Sequence, residues 1–290
     1  MISTAKGQRG KSRAGCRSAR DFRGEVKPSW CAGCGDFGVM AALHKALAAV
    51  GRPPHEIAFV SGVGCSSRIP EYTTAYGFSS LHGRALPVAQ GIKLARPELL
   101  VLVAGGDGDG FAIGGGHVSH AIRRNPDLTY LVLDNHVHGL TDGQLSPTAP
   151  FGAKGPGLST SSLESPVNPI LYALSYGANF VAQGIASDLE GLSKVIEEAI
   201  RFPGFAFVNI ESPCASFGDP DALAGVKVRS LEDEGHDPGN KQKAMELAQA
   251  RPGTLYLGVF YRNPNPPPAY GTLVRGLQQK PARALVEALV

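Results

Sequence analysis

The chain has 290 residues, long for one compact domain and short for two large ones, and at 43% hydrophobic content it can bury a sizeable core. Charged residues are only 18% and the net charge is +3, a balance that points to surface covered by contacts with other chains and, with no basic stripe interleaved with aromatics, away from nucleic acid. No run approaches the ~18 apolar residues of a spanning helix, and no apolar stretch follows the basic amino terminus, so neither a membrane span nor a secretory signal is expected.

Residues 1–24 form a basic tail carrying Lys6, Arg9, Lys11, Arg13, Arg17, Arg20 and Arg23. It reads as disordered or laid on a partner. Its Arg- and Ser-rich, acid-poor composition loosely resembles a transit peptide, but cytoplasm is the default. An odd count of five cysteines argues against a secreted disulfide framework.

From residue 25 the pattern alternates. A helix is expected over 37–50, then a strand in "IAFVSGVG" (57–64), a helix over 87–96, and a strand in "LLVLVAG" (99–105). Next come a helix over 112–124, a strand in "LTYLVLDN" (128–135), and a long Gly/Pro/Ser/Thr loop over 136–167. A helix over 168–176, a strand in "ANFVAQG" (178–184), a helix over 188–201 and a strand in "FAFVNIE" (205–211) follow. Asp188 is placed to cap the last of these helices, with Glu190 in its first turn. Residues 213–240 form a second long loop, and "TLYLGVFY" closes a domain that ends at 262. Residues 263–290 are a proline-rich tail. The strands are short, β-branched and apolar throughout, so each is buried on both sides. The fold class is α/β, a mostly parallel sheet with helices on both faces.

Ligands of open parallel sheets sit at the carboxyl ends of strands. "GGDGDGFAIGGGH" leaves the strand at 99–105 and places Asp107 and Asp109 there among glycines that let backbone approach a phosphate. Two carboxylates would repel a phosphate unless a hard cation such as Mg²⁺ intervened. The neighbouring strand ends at Asn135, so Asp107, Asn135 and a backbone carbonyl near Val137 are a candidate Mg²⁺ set. Singly these are ordinary turn residues; their pairing on consecutive strand ends favours a site. No G-x-x-x-x-G-K-[ST] loop is present, and "GVGCSS" does not complete a G-x-G-x-x-G fingerprint.

Cys31 and Cys34 form a C-x-x-C in "WCAGCGDFGV"; Cys65 follows the strand at 57–64 and Cys214 the strand at 205–211. Cys16 is left over in the tail. A pair plus two isolated cysteines from distant loops suits a [4Fe–4S] cluster better than structural zinc, which more often uses two close pairs. Zinc, and buried inert thiols, remain the other readings.

Six motifs occur in one order: "WCAGCGDFGV", "GVGCSSRIPEY", "HGRALPVAQGIKLA", "GDGDGFAIGGGH", "DNHVHGLTDGQLSPT" and "LYLGVFYR". Over residues 25–262 the chain resembles the thiamine-diphosphate-binding β subunit of 2-oxoacid:ferredoxin oxidoreductases, most closely the 2-oxoglutarate branch. The resemblance implies that Cys31, Cys34, Cys65 and Cys214 ligate one [4Fe–4S] cluster, and that Asp107, Asn135 and the Val137 carbonyl hold Mg²⁺ on thiamine diphosphate. It implies cofactor contacts from Val63, Gly64, Cys65, Ser66, His82, Gly108, Asp109, Gly139 and Leu140, and catalytic roles for His138, Thr141 and Asp142.

The implied reaction is oxidative decarboxylation of a 2-oxoacid, reversible as a reductive carboxylation. Thiamine diphosphate is the electron sink, coenzyme A takes the acyl group, and single electrons leave through the cluster to ferredoxin. The chain holds no second α/β pattern to supply the glutamate that activates thiamine. An α subunit is expected to provide it, and the coenzyme A site, in an (αβ)₂ assembly.

The loop departs from the pattern at two positions. His138 stands where Tyr is frequent, either as a proton donor or filling the aromatic slot. Asp142 stands where Lys is frequent and would repel a second substrate carboxylate. Pyruvate or broad 2-oxoacid specificity is therefore the alternative to 2-oxoglutarate. Readings of other classes are a non-redox thiamine-dependent decarboxylase with structural zinc, and a non-catalytic metal module that docks a partner.

Overall fold

The computed structural model describes residues 18–156, 159–219, 225–249 and 253–278; Cys16 lies outside them. In chain order the first elements are α1 (Asp36–Val50), β1 (Ile57–Ser61), β2 (Tyr76–Ser79), α2 (Ala85–Ala95), β3 (Leu100–Gly106), α3 (Gly115–Arg124) and β4 (Leu128–Asp134). There follow β5 (Val137–His138), β6 (Gln144–Leu145), α4 (Pro169–Ser175), β7 (Phe180–Ile185), α5 (Leu189–Arg201) and β8 (Phe205–Glu211). The described chain ends with β9 (Lys227–Ser230), α6 (Lys241–Ala248), β10 (Thr254–Arg262) and α7 (Tyr270–Gln278).

One sheet runs in the order β2-β1-β3-β4-β8-β7-β10-β9. Only the β10–β7 pairing is antiparallel among its described ladders. Successive side chains of a strand point to opposite faces, and here both faces are buried. Phe59, Leu102 and Leu131 enter one core with α1 and α5, while Val60, Val103 and Val132 enter a second core with α2, α3 and α4. Helix α5 presents Leu192, Val195, Ile196, Ala199 and Ile200 inward at helical spacing. Its start is fixed as the sequence suggested, with Asp188 Oδ1 accepting from Gly191 N at 3.0 Å.

Several segments differ from expectation. β2 has the short sequence YGFS with every residue exposed, so it carries no burial signal; it still pairs with β1 at the edge of the sheet. The expected helix over 112–124 begins only at Gly115, after a π-helical turn over Gly108–Ile113. The loops at 136–167 and 213–240 contain a small hairpin, β5–β6, and the edge strand β9. Neither end behaves as a detached tail in its described part. Phe22 is fully buried and Arg23 bridges Thr73, while Tyr270 N bonds Asn125 O at 3.1 Å at the start of α7.

Candidate active site

The parallel strands β1, β3, β4 and β8 are neighbours, so their carboxyl ends share one rim. The turns that leave this rim carry the residues chosen from sequence. Val63, Gly64, Cys65 and Ser66 follow β1 and Asp107, Gly108 and Asp109 follow β3; Asn135, Val137, His138, Gly139, Leu140 and Thr141 follow β4. With His82 they line one cleft. Asp142 does not line it; it is exposed beside Thr141, in a left-handed conformation at φ 74°. A larger cavity of about 480 Å³ lies between α5 and the β9–β10 edge, lined by Lys194, Glu232 and His236, and none of the chosen residues borders it.

Close packing explains two of the glycines. A methyl on Gly108 would sit 2.2 Å from His138 Cε1, and one on Gly62 would sit 2.1 Å from Asp109 Oδ2. Asp109 is buried and joins three segments: Val63 N and Gly83 N donate to its Oδ1 at 3.0 and 2.8 Å, and His82 Nδ1 lies 4.0 Å away. Burial pushes its carboxyl up, and those two backbone donors pull it back. Asn135 Oδ1 accepts from Val137 N at 3.1 Å, which sets the turn that brings His138 over Gly108.

Behind the cleft lies a network that sequence reasoning missed. Asp107 is 1% exposed and its Oδ2 accepts from Ser146 Oγ and, at 2.6 Å, from Thr148 Oγ1. Thr148 Oγ1 also lies 2.7 Å from Asp134 Oδ1. One hydroxyl proton cannot serve two carboxylates. Burial, then the like charge of Asp107, pushes the Asp134 carboxyl well above its usual range. His136 Nε2 faces Glu211 Oε2 at 3.3 Å and Nδ1 faces Thr148 O at 3.1 Å. Burial works against the imidazolium, but Asp134 and Glu211 outweigh it and raise its proton affinity. Asp107, Asp134 and His136 offer ligand atoms within 4.8 Å of one another. The expected Mg²⁺ set is Asp107, Asn135 and Val137, all on the cleft; Asp134 and His136 back it. Oxygen donors gathered beside a phosphate-sized space suit a hard cation.

The four thiols also converge. Trp30 Nε1 donates to the Cys65 carbonyl at 2.8 Å, and its ring is held edge-on by Phe37 and Tyr72 with centroids 5.2 and 4.9 Å away. This fastens the Cys31–Cys34 turn to the turn after β1. Gly35 N bonds Pro213 O at 3.0 Å and Ser212 Oγ donates to Asp36 Oδ1 at 2.6 Å, fastening the same turn to the Cys214 loop. A methyl on Gly139 would lie 3.4 Å from Cys214 Sγ and 3.9 Å from Cys65 Sγ, so those sulfurs flank the wall of the cleft. All four cysteines are free. Burial, then Asp36, pushes the Cys34 thiol up to about 12, and the Cys65 and Cys214 sulfurs add to this. A metal centre would be needed to hold such a group as a thiolate. The donor set therefore fits a thiolate-ligated metal centre. Trp30, Asp36, Ser146 and Thr148 stand within the motifs that carried the resemblance, whereas Ser212 and Glu211 carried no signal beyond their proximity to those motifs.

The comparisons bear on the same residues. A family profile described as "Thiamine pyrophosphate enzyme, C-terminal TPP binding domain" matches residues 62–210, and one for the C-terminal part of the pyruvate ferredoxin oxidoreductase beta chain matches 226–278. The "2-oxoacid:ferredoxin oxidoreductase 2, subunit beta" of Aeropyrum pernix is 41% identical over 77% of this chain and 73% of its own. The "2-oxoacid:ferredoxin oxidoreductase subunit beta" of Saccharolobus solfataricus is 41% identical over 81% of each. Among solved structures, a 2-oxoglutarate:ferredoxin oxidoreductase from Magnetococcus marinus, with 2-oxoglutarate, coenzyme A and succinyl-CoA bound, is 38% identical with a TM-score of 0.86. That alignment covers 94% of this chain and 96% of the other.

Proposed function

Because the chain belongs to the β-subunit family of 2-oxoacid:ferredoxin oxidoreductases, we propose that its rim cleft carries the coenzyme A-dependent oxidative decarboxylation of 2-oxoglutarate to succinyl-CoA. The observation that carries this reading is the meeting of two donor sets at one strand-end rim: oxygen donors around Asp107 and sulfur donors around Gly139.

Asp107, Asn135 and the Val137 carbonyl would hold Mg²⁺ on the diphosphate; Cys31, Cys34, Cys65 and Cys214 would hold a [4Fe–4S] cluster. When bound, thiamine diphosphate supplies the electron sink for loss of CO₂ and the cluster a one-electron carrier. Ser146 and Thr148 keep Asp107 aimed by donating to its Oδ2. Gly108 and Gly64 allow backbone to approach the diphosphate. His138, packed across Gly108, and His82, with ring centroids 6.1 Å apart, are the two imidazoles on the cleft and would hold or release a proton near the substrate carbonyl. Val63 and Leu140 are exposed apolar residues on the cleft wall and exclude water once covered.

Cover comes from the α subunit, which also supplies the activating glutamate and the coenzyme A site. Ferredoxin is the acceptor and (αβ)₂ the assembly. Among the described residues no helix is long and apolar enough to cross a membrane, and the compartment proposed is the cytoplasm. The catalytic share of Thr141 is through its cleft position. Asp142 contributes to substrate choice by charge from the exposed loop beside it.

The test is a substrate panel on the co-expressed α and β chains, comparing pyruvate, 2-oxoglutarate and branched 2-oxoacids with coenzyme A and a viologen acceptor. The reading predicts the highest kcat/KM for 2-oxoglutarate; a preference for pyruvate would contradict the substrate assignment, and no turnover of any 2-oxoacid would contradict the reaction.

A further inference from the structure

Asp36 lies within the motif "WCAGCGDFGV" but is none of the ligands, cofactor contacts or catalytic residues that the sequence suggested. It opens α1 two residues after Cys34, it is 1% exposed, and its Oδ2 has no hydrogen-bond partner among the described residues. Its Oδ1 accepts from Ser212 Oγ at 2.6 Å, two residues before Cys214. No basic side chain pairs with it among the described residues. A carboxylate in the first turn of a helix is ordinarily explained by the helix dipole. That account needs neither near-complete burial nor an oxygen left without a donor, and leaving such an atom unpaired is costly.

We propose that Asp36 sets the reduction potential of the cluster: its buried, half-satisfied carboxylate places negative charge against the four-cysteine set, and it keeps that potential low. The inference rests on the cluster reading above. Adding an electron to the cluster adds negative charge. An uncompensated carboxylate beside it, in a site with little water, opposes that addition. The donor from Ser212 neutralises one oxygen and orients the other. A carrier poised low delivers its electron to a low-potential acceptor, which is what reduction of ferredoxin demands.

The test uses the anaerobically purified, co-expressed α and β chains at pH 8. The cluster is titrated with dithionite, one electron per cluster, and followed by electron paramagnetic resonance. Asp36→Asn preserves the acceptor for Ser212 and removes the charge. It is expected to raise the reduced-to-oxidised ratio at a given poise at least about tenfold, an upward shift of about 59 mV for one electron. Thiamine diphosphate and iron contents should match the parent protein. Ser212→Ala keeps the charge and is expected to give no upward shift. An unchanged potential in D36N, or an equal upward shift in S212A, would overturn the inference while leaving the cluster in place. If D36N loads no cluster, D36S is read in its stead; loss in both would give Asp36 a role in cluster retention and overturn a role in potential. A parent protein with no iron–sulfur signal would refute the cluster reading, and this inference with it.

Discussion

His44 shows how a single buried group gives the protein a measurable pH dependence. It is 3% exposed on α1 and its Nε2 has no partner among the described residues; burial, then Arg23, lowers its proton affinity to about 4. In the unfolded chain His44 takes its proton near pH 6.5, and in the folded chain only near 4. Acid therefore favours the unfolded state as pH falls through that window. The difference is worth about 3 kcal/mol by pH 4. Calorimetry of the parent and of His44→Leu between pH 7.5 and 4.5 should show the parent losing stability more steeply; parallel curves would refute the burial account. At the cleft, Gly108→Ala places a methyl where His138 sits, 2.2 Å from Cε1. Overpacking of this kind costs about 1–3 kcal/mol, so kcat/KM should fall at least about tenfold with the iron content unchanged. Cys34→Ala should lose the cluster absorbance and ferredoxin reduction. Asp107→Ala should lose bound thiamine diphosphate and keep the cluster. At this scale the sequence is informative where chemistry dictates residue type, as at Asp107 and Cys65. It is silent where an ordinary residue outside every motif is brought to the site by the fold, as at Glu211 and Ser212.

Among the elements, the strands of the sheet centre are legible because both faces are covered. Their apolar runs are continuous and bounded by turns, as in β4, where every residue from Leu128 to Asp134 is buried. Edge elements lack that signature. β2 is wholly exposed, and β9 has three exposed residues of four, so neither gives a pattern. The start of α3 is masked because a π-helical turn over Gly108–Ile113, whose Gly108 and Gly110 pack against His138 and Tyr130, precedes it and a run of three glycines follows that turn. The cap of α5 was legible because an aspartate before an amphipathic run has one good use. Asp188→Ala should cost about 1 kcal/mol, read as a lower denaturation midpoint with no change in cofactor content; no shift would mean that Gly191 N finds another acceptor.

At the scale of the whole molecule, the chain presents an open cleft. Its cavity is about 60 Å³, far below the ~300 Å³ at the small end of ligand pockets. It is too small to enclose a thiamine ring system. Exposed apolar residues lie on the cleft or beside its members: Val63 and Leu140 on its wall, Leu81 next to His82, Ile113 against Gly83. Patches of this kind mark contact surfaces. The low overall charge already pointed to such cover, though composition alone does not say which face is covered. The proposed sulfur set and metal–diphosphate set share one rim. Loading the anaerobic complex with Mn²⁺ and thiamine diphosphate and measuring the microwave-power saturation of the reduced cluster's paramagnetic signal tests this. A shared rim gives a cluster signal whose relaxation is enhanced by Mn²⁺ only when thiamine diphosphate is present. A signal indifferent to Mn²⁺, or a protein with zinc and no cluster signal, would contradict it.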